Sequence, residues 1–180
     1  MIALGGVSIK FIGCIIVILG TTYMGFYKCF CMQSRVRRLK AFKDTFIMIK
    51  GHIGFAGMNM PEIFETISCV AESEHIKEFY KYVSTQLTKK EDIDFYHVWE
   101  NAVITHIKGV YLNDKDCFVI EKIGRMPVYL DGESQIKVID MTVFELDRLI
   151  ENAQEDIKQK GKVYKCLGVM AGIFIVILLI

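Results

Sequence analysis

Four histidines, six cysteines and the closely spaced Asp92 and Asp94 are among the residues of this chain whose chemistry could go beyond packing. A metal site or an acid–base centre needs such groups placed together. His52, His75, His97 and His106 lie on separate segments. His97 stands two residues from Trp99 and is read without a carboxylate or second ligand at helical spacing. Asp92 and Asp94 have the look of a helix start rather than of a general acid and base. Cys14, Cys29, Cys31, Cys69, Cys117 and Cys166 form no disulfide framework and include no C-x-x-C pair, so they are read as reduced apolar filler.

The glycine stretch Gly51-His52-Ile53-Gly54-Phe55-Ala56-Gly57 lacks the G-K-[ST] ending and the preceding strand of a phosphate-binding loop. It is expected to be a connection. No nucleophile elbow is present. The expectation is a protein that is not an enzyme, with no cofactor, no metal and no small-molecule substrate.

The elements that carry these residues are set by hydropathy and charge. Mean hydropathy is +0.33, and the excess lies at the two ends. Residues 11–27 form an apolar run of roughly the 17–25 residues that span a bilayer. Residues 166–180 form a shorter one, with Tyr164 and Lys165 placed to snorkel at its edge. Lys10 before the first run, with no A-x-A-like site after it, points to an anchor rather than a cleaved signal.

All 21 acidic residues lie between Asp44 and Asp156, together with eleven bases, so that window carries a net charge of minus ten. The compensating bases flank the apolar runs. Lys28, Arg35, Arg37, Arg38, Lys40 and Lys43 follow the first; Lys158, Lys160, Lys162 and Lys165 precede the second. The positive-inside rule places both flanks in the cytoplasm. The basic stretch carries no base-stacking aromatics, so contact with lipid headgroups explains it better than nucleic acid does. The predicted organisation is an extension at 1–10, a transmembrane helix at 11–27, a cytoplasmic α-helical domain at 28–165 and a C-terminal transmembrane segment at 166–180.

Within the domain the apolar periods are helical throughout. Val36, Leu39, Phe42, Phe46, Ile49 and Ile53 share one face. Asn59-Met60-Pro61-Glu62 opens a helix with Ile63, Phe64, Ile67 and Val70 on its apolar side. Ser73 precedes one with Ile76, Phe79, Tyr80, Val83 and Leu87, which ends at the charged turn Lys89-Lys90-Glu91-Asp92. The next carries Phe95, Val98, Trp99, Ala102 and His106, with Trp99 as a core anchor. Asn113-Asp114 starts another through Phe118, Val119, Ile120 and Ile123, which Gly124 ends. From Asp131 to the last residue, apolar positions at Ile136, Ile139, Val143, Leu146, Ile150, Ala153 and Ile157 predict one long helix. It is amphipathic first, membrane-embedded last, and roughly 50 Å long on its water side. Its seam is expected to pack the smaller helices, with 156–165 as a stalk beside the N-terminal helix. The fold class is all-α: a compact helical bundle built on the long C-terminal helix, plus an N-terminal transmembrane helix.

The order of several short motifs resembles the stage III sporulation protein AB family of endospore-forming bacteria. Thr21-Thr22-Tyr23-Met24-Gly25-Phe26 is similar to the T-x-x-G-F ending of the family's anchor. Met60-Pro61-Glu62 and Trp99-Glu100 fit its middle. Ile123-Gly124, Leu130-Asp131, Gln135 and Leu146 fit the start of its long helix, and Lys162-Val163-Tyr164-Lys165-Cys166-Leu167-Gly168 fits its K-x-Y-x-x-L-G approach to the membrane. The positions carried over are Gly124, Asp131, Gln135, Lys162, Tyr164, Leu167 and Gly168. The resemblance covers residues 9–180. Met1 to Ser8 precede the family's usual start, and Arg125-Met126-Pro127-Val128 replaces a leucine-glycine turn.

The resemblance implies a membrane component of the assembly that links mother cell and forespore. Its soluble domain would be similar to the cytoplasmic helical modules of type II secretion platform proteins. The implied location is the mother-cell membrane around the forespore, with the domain facing the mother-cell cytoplasm. The implied partners are the other stage III sporulation membrane proteins and the secretion-type ATPase, stage III sporulation protein AA. The charge pattern adds a candidate acidic docking face at Glu72, Glu74, Glu78, Glu91 and Asp92. The alternative is a membrane-bound helical scaffold or regulator with no secretion link.

Overall fold

A computed structural model describes residues 3–56, 58–89, 94–109, 111–126 and 132–179. Their regular structure is helical, and no strand occurs among them; the one bridge pair is Lys108 with Leu112. The described residues form six α-helices: α1 (Ala3–Gly51), α2 (Met60–Val70), α3 (Glu74–Lys89), α4 (Phe95–His106), α5 (Asp114–Glu121) and α6 (Gly132–Leu179). The chain divides into two compact units. One is Met1–Ser34 with Ala153–Ile180, the other Arg35–Asn152.

The two long helices follow from the absence of proline over 49 and 48 residues. The apolar run and the basic segment that follows it are one helix rather than two. The helix also passes Gly51, and a π-helical turn continues over His52–Ala56, where the sequence reads as a loop. Glycine costs a helix about 1 kcal/mol. Packing of the residues around it outweighs that: Ile49 is fully buried, and Ile136 lies close enough that a Cβ on Gly54 would meet its Cδ1 at 3.7 Å.

In the second unit the predicted face of α1 is the buried one: Val36, Leu39, Phe42, Phe46 and Ile49. Ile63, Phe64 and Ile67 of α2 and Ile76, Phe79, Tyr80 and Val83 of α3 meet it in the core. From α6, Ile139, Leu146 and Ile150 are buried at the expected spacing. Two residues assigned to apolar faces lie outside: Val70, at the last turn of α2, and Phe118 of α5. Phe118 is covered by cations instead, with Lys122 Nζ 5.4 Å and Arg125 Cζ 6.0 Å from its ring centre.

Trp99 is the hub. It is fully buried, with the rings of Phe46, Phe64, Phe79, Tyr80 and Phe95 around it. Phe79 meets Trp99 edge-on at 4.9 Å, with Phe95 at 5.6 Å and Phe64 at 5.7 Å. Its indole N–H donates to the Ile120 carbonyl at 2.9 Å, which ties α4 to α5. Tyr80 donates to Thr45 Oγ1 at 2.8 Å, and Thr45 donates to the Phe42 carbonyl, so the buried phenol is satisfied. Burial raises the Tyr80 pKa above its ordinary value.

Candidate functional site

The first unit holds a helix seam that sequence periodicity did not announce. Along α1 the contact residues are Ile18, Thr21, Gly25 and Cys29; along α6 they are Gly161, Tyr164, Gly168 and Gly172. Gly168-Val169-Met170-Ala171-Gly172 is a G-x-x-x-G pattern, and Thr21 and Gly25 make the same small-x-x-x-small spacing opposite it. The backbones meet so closely that a Cβ on Gly25 would lie 2.6 Å from the Tyr164 carbonyl oxygen. One on Gly168 would lie 2.9 Å from the Thr21 carbonyl oxygen, and one on Gly172 2.5 Å from Thr21 Oγ1. Thr21 itself donates back to the carbonyls of Val17 and Ile18, at 3.0 and 3.1 Å, which keeps its hydroxyl satisfied on an apolar helix. A Cβ on Gly161 would lie 3.7 Å from Cys29 Sγ, so the lysine-rich stretch before the apolar end does run beside the N-terminal helix.

Away from this seam the apolar runs of the first unit expose many of their side chains. Ile15, Ile16, Leu19, Met24 and Phe26 of α1, and Leu167, Met170, Phe174 and Ile177 of α6, are more than half exposed. One helix among the described residues is long and apolar enough to cross a membrane by length and composition, within Gly13–Gly54.

The family described as stage III sporulation protein AB matches the chain over residues 10–180. The chain belongs to that family. No curated protein and no solved structure matches it.

The stage III sporulation protein AB positions read from the sequence have separate structural reasons. Gly124 is buried against Trp99: a Cβ there would lie 2.7 Å from the indole Cδ1, so any side chain displaces the hub. Gln135 is buried in the first turns of α6. Tyr164 and Gly168 belong to the seam, while Lys162 and Leu167 are exposed. Asp131 lies outside the described residues.

Among the basic residues after the first apolar run, Arg35, Arg38 and Lys43 find partners within the helical body, as does Lys50 farther along α1. Arg35 makes a two-pronged bond to fully buried Asp116, Nε to Oδ2 at 2.7 Å and Nη2 to Oδ1 at 2.8 Å. Asp116 also accepts from the Asn113 amide at 3.0 Å, while Asn113 Oδ1 accepts from the Asp116 amide at 2.9 Å, a reciprocal capping box for α5. Arg38 lies over the Tyr111 ring, 5.5 Å from its centre, and its partial burial lowers its pKa. Lys43 reaches Asp147 at 2.6 Å and Lys50 reaches Asp140 at 2.6 Å, both on α6.

The charge of the body changes accordingly. Residues 35–152 contain sixteen bases and nineteen acids, a net of minus three rather than minus ten. The acidic face is thus a local feature. Glu72, Glu74 and Glu78 are exposed, and Glu74 reaches Lys77 only at 3.9 Å; Glu91 and Asp92 lie outside the described residues.

A second surface was missed by the sequence reading. Ile47 lies four residues after Lys43 and three before Lys50, and Phe144 stands in the same relation to Asp140 and Asp147. Helical spacing therefore sets Ile47 and Phe144 between two ion pairs. Both are exposed, as are Met48 and Met141 beside them. The signal in the sequence was Met141 and Phe144 falling off the seam period.

Groups with chemical potential stay apart. No three His, Cys, Asp or Glu side chains among the described residues are placed to hold a metal. His97 does have carboxylates at helical spacing, contrary to expectation: Asp94 and Glu100 each lie 3.8 Å from it, three residues to either side, in an exposed cluster. His106 packs 5.2 Å from Tyr82. Cys69 and Cys166 are exposed rather than filler, whereas Cys29 and Cys117 are buried.

Proposed function

We propose that this chain is a non-enzymatic, membrane-anchored component of the sporulation assembly between mother cell and forespore. It acts in assembly of the channel or as a platform for the secretion-type ATPase of the same set. The observation that carries this reading is family membership over 10–180 together with the small-residue seam. Two helices that expose apolar side chains along their apolar runs and close on one another there through glycines are what packing inside a bilayer favours, where close backbone approach replaces the hydrophobic effect as the driving force. Basic flanks on both helices support a body that faces the mother-cell cytoplasm. There the acidic face of Glu72, Glu74, Glu78, Glu91 and Asp92 meets a basic face of the ATPase.

Co-purification of the ATPase with the full chain from sporulating cells tests the platform role. Charge reversal at Glu72, Glu74 and Glu78 is expected to reduce recovery about tenfold, since each exposed charge at an interface contributes on the order of 0.5–1 kcal/mol. Unchanged recovery removes the acidic face from the reading. Loss on Phe144→Asp instead moves the contact to the apolar patch at Ile47 and Phe144. Recovery of no ATPase with the unaltered chain overturns the platform role.

A further inference from the structure

The first unit carries an open groove that the helix seam does not fill. It is lined by Tyr23, Phe26, Tyr27, Phe30 and Gln33 of α1 and by Lys165 of α6. Lys165 Nζ sits 5.5 Å from the centre of the Phe26 ring, and Tyr23 stacks on Tyr27 at 6.1 Å. We propose that this groove is a binding site for one anionic phospholipid. The phosphate would be held by Lys165 and the Gln33 amide, and an acyl chain would lie along Tyr23, Phe26 and Phe30. The proposal rests on the membrane reading above.

Charge argues for an anion. No carboxylate is near in sequence: Asp156 is nine residues before Lys165, roughly 14 Å along the helix, and Asp44 is eleven after Gln33, roughly 16 Å. The segments that form this unit contain six bases and two acids, a net of plus four. Dimensions argue for a lipid. Tyr23 to Gln33 covers roughly 15 Å of helix, enough to run from the headgroup layer into the upper hydrocarbon. The lining changes in the same sense, from the aromatic rings of Tyr23 and Phe26 to an amide with two N–H donors at Gln33. Half-exposed Phe26 and Phe30 offer flat apolar walls to a chain, and the cation at the groove's edge is the fixed point for a phosphate.

Native mass spectrometry of the full chain, extracted in mild detergent and supplied with phosphatidylglycerol or phosphatidylcholine, tests this. The unaltered chain is expected to retain phosphatidylglycerol about tenfold better. Lys165→Glu and Lys165→Gln are expected to remove most of that preference, while Lys162→Glu, one turn away, changes it less than about twofold. Equal retention of the two lipids, or equal loss on altering Lys162 and Lys165, overturns the site. Displacement of the lipid by inorganic phosphate overturns it in favour of a free anion. Alkaline carbonate extraction separates this from the parent reading. A chain that stays in the membrane fraction without lipid selection sinks only the site; a chain released by carbonate sinks the membrane reading too.

Discussion

Asp116 joins three requirements at one carboxylate. It pairs with Arg35 across 81 residues of sequence, accepts from the Asn113 amide and has no solvent exposure. Removing one partner of such a pair leaves the other without compensation, at a cost of about 3 kcal/mol. Asp116→Ala is therefore expected to lower the melting temperature of the purified protein by several degrees. Arg35→Leu combined with Asp116→Ala should be less destabilised than the sum of the single changes, read from thermal unfolding as a double-mutant cycle. The neighbouring thiol behaves differently. Burial, with the Asp116 charge, pushes Cys117 up to about 11 from an ordinary value of 9.0. The folded chain keeps a proton there that the unfolded chain gives up, so this contribution to stability is full below pH about 9 and declines as pH rises to about 11. At mildly alkaline pH, iodoacetamide should modify exposed Cys69 long before Cys117, checked by peptide mass after timed quenching. Equal rates would mean that α5 opens readily.

At the scale of elements, the glycine seam makes the strongest mechanical claim. Because a Cβ on Gly161 would lie 3.7 Å from Cys29 Sγ, a Gly161→Cys variant is expected to form a disulfide with Cys29 on mild oxidation, detected as a linked peptide. Adding Gly25→Leu or Gly168→Leu forces the backbones apart and should reduce that yield about fivefold, corresponding to roughly 1 kcal/mol of lost packing. The same elements show what a sequence can and cannot carry. The buried faces of α1 to α4 and α6 were legible because burial repeats every three or four residues, and the Asn59 and Asn113 caps were legible because a side-chain oxygen near a helix start has one main use. The seam was not. Its contact residues are glycines and a threonine inside an apolar run, where hydropathy is flat and no period stands out. Nor were the fates of Arg35, Lys43 and Lys50 legible, because their partners lie 81 to 104 residues away and nothing local points to them. Phe118 was misplaced for a similar reason: a phenyl ring reads as core until the two cations that cover it are brought in by the turn after α5.

For the molecule as a whole the proposed membrane anchoring turns on which side the body would occupy. Four lysines precede the apolar end of α6, and the segment after the first apolar run is strongly basic, so translocating either flank would work against the positive-inside bias. The ion pairs of Arg35, Lys43 and Lys50 do not count against the proposed topology, because positive-inside bias acts during insertion, before such partners fold. Cys69 provides the probe: it is exposed on α2, in the unit that carries the acidic face. A membrane-impermeant maleimide added to intact cells should leave the Cys69 peptide unmodified, and the same reagent should label it after the cells are opened. Labelling from outside intact cells would put Glu72, Glu74, Glu78 and the Ile47–Phe144 patch on the side without ATP. A platform for a cytoplasmic ATPase could not work from there, so the topology and the platform role would fail together, while the glycine seam and the Trp99 core would stand unchanged.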